Sequence, residues 1–188
     1  VLSLLAGVSA PALSQHHALI RPQDQLVRLM PNIPVERAAG VTLAYTPQPL
    51  PPAAREVVEA LFGAVGLLEW LDKEALFHVG TALSGCGPAY FWLMIDALSD
   101  AGVALGLNRA LARRLAAQTM LGSGLMALDQ HPGLLKDRVT SPGGVTIEGV
   151  RALERAGVRS ALIEAVACAT SRSEALDPIK SHEAREGR

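Results

Sequence analysis

A glycine-rich loop followed by a threonine is the segment of this sequence best suited to chemistry. It reads "VTSPGGVTIEG" from Val139 to Gly149, between two stretches with helical periodicity. Gly143 and Gly144 have no Cβ, so a ligand can approach their backbone N–H groups closely. The helix expected to begin near Thr146 adds unpaired N–H groups and a positive dipole end, which favour a carboxylate or phosphate. An ordinary capped turn is the alternative, because Pro and Gly are common in turns.

Two further segments place polar groups where a ligand could reach them. "LSGCGPAY" is a second glycine-rich entrance to a helix, and its Cys86 is either a nucleophile or an inert, buried thiol. Asn32, in "LMPNIP", follows an expected strand, where ligands of α/β layers bind. The alternative for Asn32 is a side chain bonded to its own backbone. The histidines show no set of three or four converging ligands, so no metal site is expected.

Strands in the first third of the chain and helices after it are expected to position these segments. Apolar and β-branched runs bounded by Pro and Gly predict strands at "VLSLLAG", "QLVRLMPNIP", "GVTLAYTP" and "LLEWL", with a helix at "PPAAREVVEALFGAVG". This alternation predicts an α/β layer. Later helices are expected after Gly87, from an Asn108 cap to the His131-Pro132 break, and twice after the loop. "PGLLKD" is expected to form a short turn, and "DPIKSHEAREGR" a frayed tail.

Composition and charge exclude several classes of protein. The 188 residues are 49% hydrophobic and carry a net charge of −1, with no basic stripe, so a packed core is expected and nucleic acid is not. The most apolar long window, residues 89–107, contains Asp96 and Asp100 and predicts a buried helix rather than a membrane span. "VLSLLAGVSAPALS" lacks the basic region of a signal peptide. Two cysteines without metal or redox spacing fit a reducing compartment, so a cytoplasmic location is expected.

Two of the expected helices are apolar nearly all round, which is more than a chain of this size buries alone. Gly122, Ser123 and Gly124 leave room for a second helix to approach closely. Helices of this kind usually pack against a partner subunit, so a homodimer or a larger assembly is expected.

Five segments are spread along nearly the whole chain, from Ser3 to Val166. They are "SLLAGVS", "RLMPNIP", "TALSGCGPAYFWLMIDALSDAGVALGL", "AAQTMLG" and "HPGLLKDRVTSPGGVTIEGVRALERAGVRSALIEAV". They resemble the pyrroline-5-carboxylate reductase family, and the last resembles its signature segment. The resemblance implies an NADPH- or NADH-dependent oxidoreductase that transfers hydride to the C=N carbon of 1-pyrroline-5-carboxylate and gives L-proline, the last step of proline biosynthesis. It also implies homodimers, which in the family often build decamers.

The family resemblance also assigns the site residues. It places the substrate carboxylate on the backbone of residues 143–146, with Ser141 beside it, and the Thr146 hydroxyl on the ring nitrogen as the catalytic group. Asp129 stands where the family usually has a glutamate near the substrate. The residues that resemble those flanking the nicotinamide are Ala6, Gly7, Asn32 and Pro34. The substrate-binding set is Asp129, Ser141, Gly143, Gly144, Val145 and Thr146.

Three departures from the family pattern qualify the resemblance. Cys86 replaces the serine of "SGSGPAY", and Ile33 replaces the threonine of "PNTP". No G-x-G-x-x-G follows an opening strand. The expected fold is therefore α/β plus all-α. Residues 1–75 are expected to be the C-terminal remnant of a Rossmann-type NAD(P)-binding domain whose first half is absent. Residues 76–188 are expected to be a helical dimerisation and substrate-binding domain. A non-catalytic dimerisation module and a reductase for a related imino acid stay open as alternatives.

Overall fold

The structure, a computed structural model, describes residues 1–16 and 24–176, except for the side chains of Gln15 and His16. The tail expected to fray, residues 177–188, lies outside the described residues.

A four-stranded mixed sheet forms the first part of the described chain, in the order β1-β2-β3-β4. The strands are β1 (Leu2–Ser3), β2 (Val27–Pro31), β3 (Gly40–Tyr45) and β4 (Gly66–Trp70). The outer pairs, β1 with β2 and β3 with β4, are parallel, whereas β2 and β3 are antiparallel, with Leu29 opposite Ala44. Helix α1 (Ala10–His16) lies between β1 and β2 in the chain, and α2 (Pro52–Gly63) lies between β3 and β4. The predicted α/β layer is confirmed.

Strand β2 is buried on both faces, which explains its nearly continuous apolar sequence. Val27 and Leu29 pack with Ala44 and Val58 in one apolar cluster. Because side chains alternate along a strand, Arg28 points to the opposite face, where its guanidinium lies 4.5 Å from the centre of the Phe77 ring. The sheet therefore carries a buried cation on the face away from this cluster.

Helices dominate after the sheet. They are α3 (Leu76–Gly80), a π-helical turn (Thr81–Gly85), α4 (Gly87–Ala104), α5 (Arg109–Asp129), α6 (Pro132–Val139), α7 (Val145–Arg155) and α8 (Val158–Ala175). Asn108 caps α5 as predicted, because its Oδ1 accepts a hydrogen bond from the Leu111 N–H at 2.9 Å. The combination of an α/β layer and a helical part agrees with the fold class expected from the sequence.

The prediction that "PGLLKD" forms only a short turn is wrong, because α6 is an eight-residue helix. Both of its ends are capped. The His131 Nδ1 accepts a hydrogen bond from the Gly133 N–H at 3.1 Å, and the Thr140 hydroxyl donates to the Lys136 carbonyl at 3.1 Å. The caps satisfy backbone groups that a short helix would otherwise leave unpaired.

The chain divides into two compact units, residues 1–88 with 164–188, and residues 89–163. The described part of the first unit contains the sheet, α1 to α3, the π-helical turn and the greater part of α8. The second contains most of α4 and the whole of α5, α6 and α7. The division after residue 75 expected from the sequence stays a prediction.

Helices α4 and α5 expose many large apolar side chains. Within the second unit these are Phe91, Trp92, Leu93, Leu98, Leu115, Leu121, Leu125, Met126 and Leu128. Such faces usually pack against a further helix. Across the described ranges 1–16 and 24–176, none of the helices is both long enough and apolar enough to span a membrane.

Candidate functional site

The glycine-rich loop is a tight turn that leads directly into α7. The Gly144 N–H donates to the Ser141 carbonyl at 3.0 Å, and Gly143 has a positive φ of 69°. Pro at the second position and a positive φ at the third are the signature of a type II turn. Of the two alternatives left open by the sequence, the turn is therefore present. It occupies the Gly144 N–H, so this group cannot also serve a ligand without breaking the turn.

The remaining N–H groups around the turn are unpaired. Gly144 is the N-cap residue of α7 and makes no side-chain capping bond. Within the described ranges, the N–H groups of Gly143, Val145, Thr146 and Ile147 find no acceptor. They lie at the positive end of an eleven-residue helix. The turn therefore removes the Gly144 N–H from the donors expected to bind an anion and leaves the other N–H groups available.

The side chains at this loop face outward. Val145 is 93% exposed, and Ser141 and Thr146 are exposed as well. The Thr146 hydroxyl makes no hydrogen bond to any described residue, so it does not cap α7 and is available to a ligand. The loop therefore offers backbone donors, one hydroxyl and an apolar side chain next to one another.

The two glycines of the loop differ in their surroundings. A Cβ at Gly144 would lie 2.4 Å from the Ser141 Oγ, whereas a Cβ at Gly143 would meet nothing within 4 Å. Gly143 has a backbone angle that other residues rarely adopt, whereas a Cβ at Gly144 would force the Ser141 side chain to shift. The open side of Gly143 leaves space for a ligand.

Asp129 lies at the other end of α6 from the loop. It is the last residue of α5 and is exposed. The Arg138 guanidinium donates to the Gln130 Oε1 at 2.7 Å and so links the two ends of α6. The structure therefore brings Ser141 and residues 143–146 together and places Asp129 outside the turn itself.

In the first unit, Ala6 and Gly7 form a turn after β1 and line a small cleft. Gly7 has a positive φ of 70°. The other residues that line this cleft are Leu5, Arg28, Met30, Phe77, His78, Thr81 and Ser173. Asn32 and Pro34, grouped with Ala6 and Gly7 by the sequence resemblance, do not line it.

Arg28 is the cleft residue that sequence reasoning missed. It is buried, its Nη1 donates to the Glu74 Oε1 at 2.5 Å, and that carboxylate also accepts the Ala10 N–H at 2.6 Å. The available signal was an arginine in the centre of the apolar run "LVRLM". A buried charge is stable only when it is paired, so this strand position needed a carboxylate nearby.

Asn32 has a structural hydrogen bond at each end of its amide. Its Oδ1 accepts the Val41 N–H at 2.8 Å, and its Nδ2 donates to the Ser84 carbonyl at 2.9 Å. Pro34 lies in the first turn of a short 3₁₀ helix (Ile33–Arg37). Both ends of the Asn32 carboxamide are therefore bonded to backbone groups of other residues. The alternative proposed from the sequence was a bond to its own backbone.

Neither cysteine is paired within the described residues. Cys86 is half-buried and Cys168 is exposed. The Cys86 N–H donates to the Thr81 carbonyl at 2.9 Å and closes the π-helical turn. Among the residues that the structure describes, no group of three His, Cys, Asp or Glu side chains could hold a metal ion.

Comparison with known proteins gives a consistent family. Residues 74–176 match the family described as pyrroline-5-carboxylate reductase dimerisation. A pyrroline-5-carboxylate reductase of Synechocystis is 44% identical over 178 residues, which cover 94% of this chain and 65% of the relative. Pyrroline-5-carboxylate reductase 2 of Bos taurus is 40% identical, over 97% of this chain and 58% of the relative.

Solved structures agree with these relatives. Pyrroline-5-carboxylate reductase of Coxiella burnetii superposes with a TM-score of 0.86 at 35% identity, over 93% of this chain and 64% of that one. The Plasmodium falciparum enzyme with NADP bound gives 0.84 at 32% identity, over 94% of this chain and 66% of that one. The chain spans less than two thirds of the length of these curated relatives. The family match covers more than half of the chain, and the chain belongs to the pyrroline-5-carboxylate reductase family.

Proposed function

We propose that this protein is a pyrroline-5-carboxylate reductase. It transfers hydride from NADPH or NADH to the C=N carbon of 1-pyrroline-5-carboxylate and forms L-proline, in the last step of proline biosynthesis. The observation that carries the proposal is the group of unpaired backbone N–H donors at the Gly143 turn and the start of α7. The family's relatives support the reaction.

The loop suits a small ring that carries a carboxylate. The N–H groups of Gly143, Val145 and Thr146 donate to the carboxylate, and the helix dipole favours its charge. The exposed Val145 side chain offers an apolar surface to the ring. A protonated imine is already electrophilic, so the reaction asks mainly for orientation of the two reactants. The Thr146 hydroxyl contacts the ring nitrogen, and Asp129 contributes to the substrate site from the far end of α6.

We assign the nicotinamide end of the cofactor to the cleft beside Ala6 and Gly7. Leu5, Ala6 and Met30 give it an apolar wall, which suits a flat aromatic ring. NADPH or NADH supplies the hydride when bound. No G-x-G-x-x-G follows a strand in this sequence, so the residues that would seat the diphosphate are not among those described.

The proposed assembly is a homodimer or a decamer built from dimers. The exposed apolar faces of α4 and α5 support it, as does the family matched by residues 74–176, which is described by its dimerisation. A cytoplasmic location is part of the proposal, because both described cysteines are unpaired, as in a reducing compartment.

Binding of L-proline to the chain tests the carboxylate site without requiring turnover. Isothermal titration should show binding of L-proline, whose carboxylate takes the loop N–H groups. L-prolinamide has the same ring but no carboxylate, so it serves as the matched control and should bind at least about tenfold more weakly. Equal affinity for the two ligands would contradict the site.

Reductase activity tests the reaction. Oxidation of NADPH in the presence of 1-pyrroline-5-carboxylate should be measured for the chain alone and for the chain preceded by the N-terminal segment of the Synechocystis relative. Turnover by the joined protein is expected, because that segment supplies the part of the relative that this chain does not match. A folded joined protein without turnover would overturn the proposal. The same assay with a six-membered cyclic imine tests the alternative of a related imino-acid reductase, which would turn over this substrate faster than 1-pyrroline-5-carboxylate.

A further inference from the structure

Pro88 removes a hydrogen bond at the entrance to α4. In a regular α-helix, the N–H of residue 88 would donate to the carbonyl of Ser84, four residues earlier. Proline has no N–H, and its ring crowds that carbonyl. In this chain the segment before Pro88 is not α-helical but forms the π-helical turn Thr81–Gly85, closed by the Cys86 N–H on the Thr81 carbonyl. The widened turn accommodates the proline, which has no N–H to donate.

Asn32 supplies the donor that Pro88 cannot. Its Nδ2 donates to the Ser84 carbonyl at 2.9 Å, across 52 residues of sequence. Its Oδ1 simultaneously accepts the Val41 N–H at 2.8 Å, at the start of β3. One carboxamide thus joins the end of β2, the start of β3 and the π-helical turn.

The same contact sets one wall of the cleft in the first unit. The Met30 side chain reaches the turn, because its Cε lies 3.4 Å from where a Cβ at Gly85 would stand. Met30 and Thr81 both line the cleft that contains Ala6 and Gly7. A shift of the turn away from β2 would therefore move Thr81 and open the cleft on that side.

We propose that Asn32 is a positioning residue, whose carboxamide replaces the bond denied by Pro88 and so holds the Thr81–Gly85 turn and the cleft wall in place. It acts through the turn rather than by touching the cofactor. Its consequence for catalysis rests on the proposed reductase function, since the nicotinamide end of the cofactor is proposed to lie in this cleft. A displaced wall misorients the reacting ring more than it weakens binding of the whole cofactor.

The Cys86 thiol reports on the turn without any assay of activity. In the full chain, alkylation by iodoacetamide should be about tenfold faster at Cys86 in Asn32→Asp than in the parent, because the carboxylate keeps an acceptor for Val41 but loses the donor to Ser84. The exposed Cys168 serves as an internal reference and should react at the same rate in both. Asn108→Asp is the matched control, because Asn108 uses only its Oδ1. That control should leave the Cys86 rate unchanged.

Rescue by Pro88→Ala distinguishes positioning from general destabilisation. Alanine restores an N–H at residue 88, so in this background Asn32→Asp should accelerate Cys86 alkylation by less than about threefold. An unchanged Cys86 rate in Asn32→Asp, or an equal acceleration in both backgrounds, would overturn the proposal. If circular dichroism shows that Asn32→Asp is unfolded, the smaller change Asn32→Ser, which loses the same donor, is judged by the same two rates.

Kinetics test the catalytic consequence separately. In a form that turns over, Asn32→Asp should lower kcat about tenfold with a smaller change in the KM for NADPH, and Pro88→Ala should restore most of it. An unchanged kcat beside a raised Cys86 rate would contradict a role in the reaction. Failure of the folded joined protein to turn over would overturn the reductase assignment, while the alkylation rates would still decide the role of Asn32.

Discussion

At the scale of single residues, the Thr146 hydroxyl is the side chain most directly open to test. It is exposed and bonds to no described residue, so its removal should cost little stability. Thr146→Ala should lower kcat by about tenfold or more, because a hydrogen bond to a charged group contributes about 1.5–3 kcal/mol. Steady-state kinetics with 1-pyrroline-5-carboxylate provide the measurement. Thr146→Ser keeps the hydroxyl and should retain most of the activity; loss in both variants to the same degree would count against the assignment.

Gly144 tests whether the loop is the carboxylate site. A side chain at this position collides with the Ser141 Oγ, which would lie 2.4 Å from its Cβ. Gly144→Val should therefore distort the turn and abolish L-proline binding in a titration. Gly144→Ala should weaken it, and Ser141→Ala in the same chain should recover part of the loss by removing the Oγ. Normal affinity for L-proline in a folded Gly144→Val protein would show that the site lies elsewhere.

The sequence predicted the local conformation of the loop better than the hydrogen-bond partners of distant side chains. Glycine, proline and threonine in "SPGGVT" indicated a turn at a helix start, because each has a local conformational consequence. The Asn32 and Arg28 partners depend on segments 52 and 46 residues away in the chain. Local rules carry no information about such pairings, so the Asn32 amide stayed ambiguous and the Arg28–Glu74 pair was missed.

At the scale of helices and their connections, an ion pair joins α7 to α8 and gives a pH dependence. The Arg159 guanidinium, through its hydrogen bond first and its charge second, holds the pKa of Glu154 below its usual value of 4.5. Because the folded-state pKa is lowered, the unfolded chain binds this proton more readily, so the stabilisation is present above pH 4.5 and is lost on acidification below it.

Glu154→Gln should accordingly be slightly less stable than the parent at neutral pH. The difference in free energy of unfolding should shrink as the pH falls below 4.5. Denaturant titrations across this range measure it. Glu164→Gln, at an exposed glutamate of α8 that pairs with none of the described cations, is the matched control and should show no such convergence. A difference for Glu154→Gln that grows on acidification would have the wrong sign.

Helix and strand boundaries could be predicted from the sequence wherever a strong capping or chain-breaking residue marked them. Asn108 before α5 and Pro47 after β3 marked real boundaries. The length of α6 was underestimated because its caps, His131 and Thr140, are residues with weak helix-start and helix-stop signals. The π-helical turn was not predicted at all. We attribute it to Pro88, which has no N–H, and to the distant Asn32 Nδ2, which donates to the Ser84 carbonyl. No local pattern contains both residues.

At the scale of the whole molecule, the distribution of apolar residues along the helices predicted an assembly. Two expected helices are apolar nearly all round, which is more than a chain of this size buries alone, and α4 and α5 indeed expose long apolar side chains. The order and directions of the strands were not predicted, because strand pairing depends on contacts between segments distant in sequence. The proposed homodimer therefore rests on the exposed apolar side chains of α4 and α5. The sequence indicated an excess of apolar helix surface but not where it lies.

Gly124 gives a test of this assembly in which two effects have opposite signs. A Cβ at Gly124 would meet nothing within 4 Å in the single chain, so Gly124→Ala should stabilise α5 by about 0.5–1 kcal/mol through helix propensity. If a partner helix packs closely there, the same methyl group should weaken association by about tenfold, because overpacking a contact costs about 1–3 kcal/mol. Sedimentation over a range of protein concentrations measures the association. Gly149 in α7 also has open space at its Cβ, and Gly149→Ala should raise stability without changing assembly. Unchanged association in Gly124→Ala would place the partner on another face of the helix.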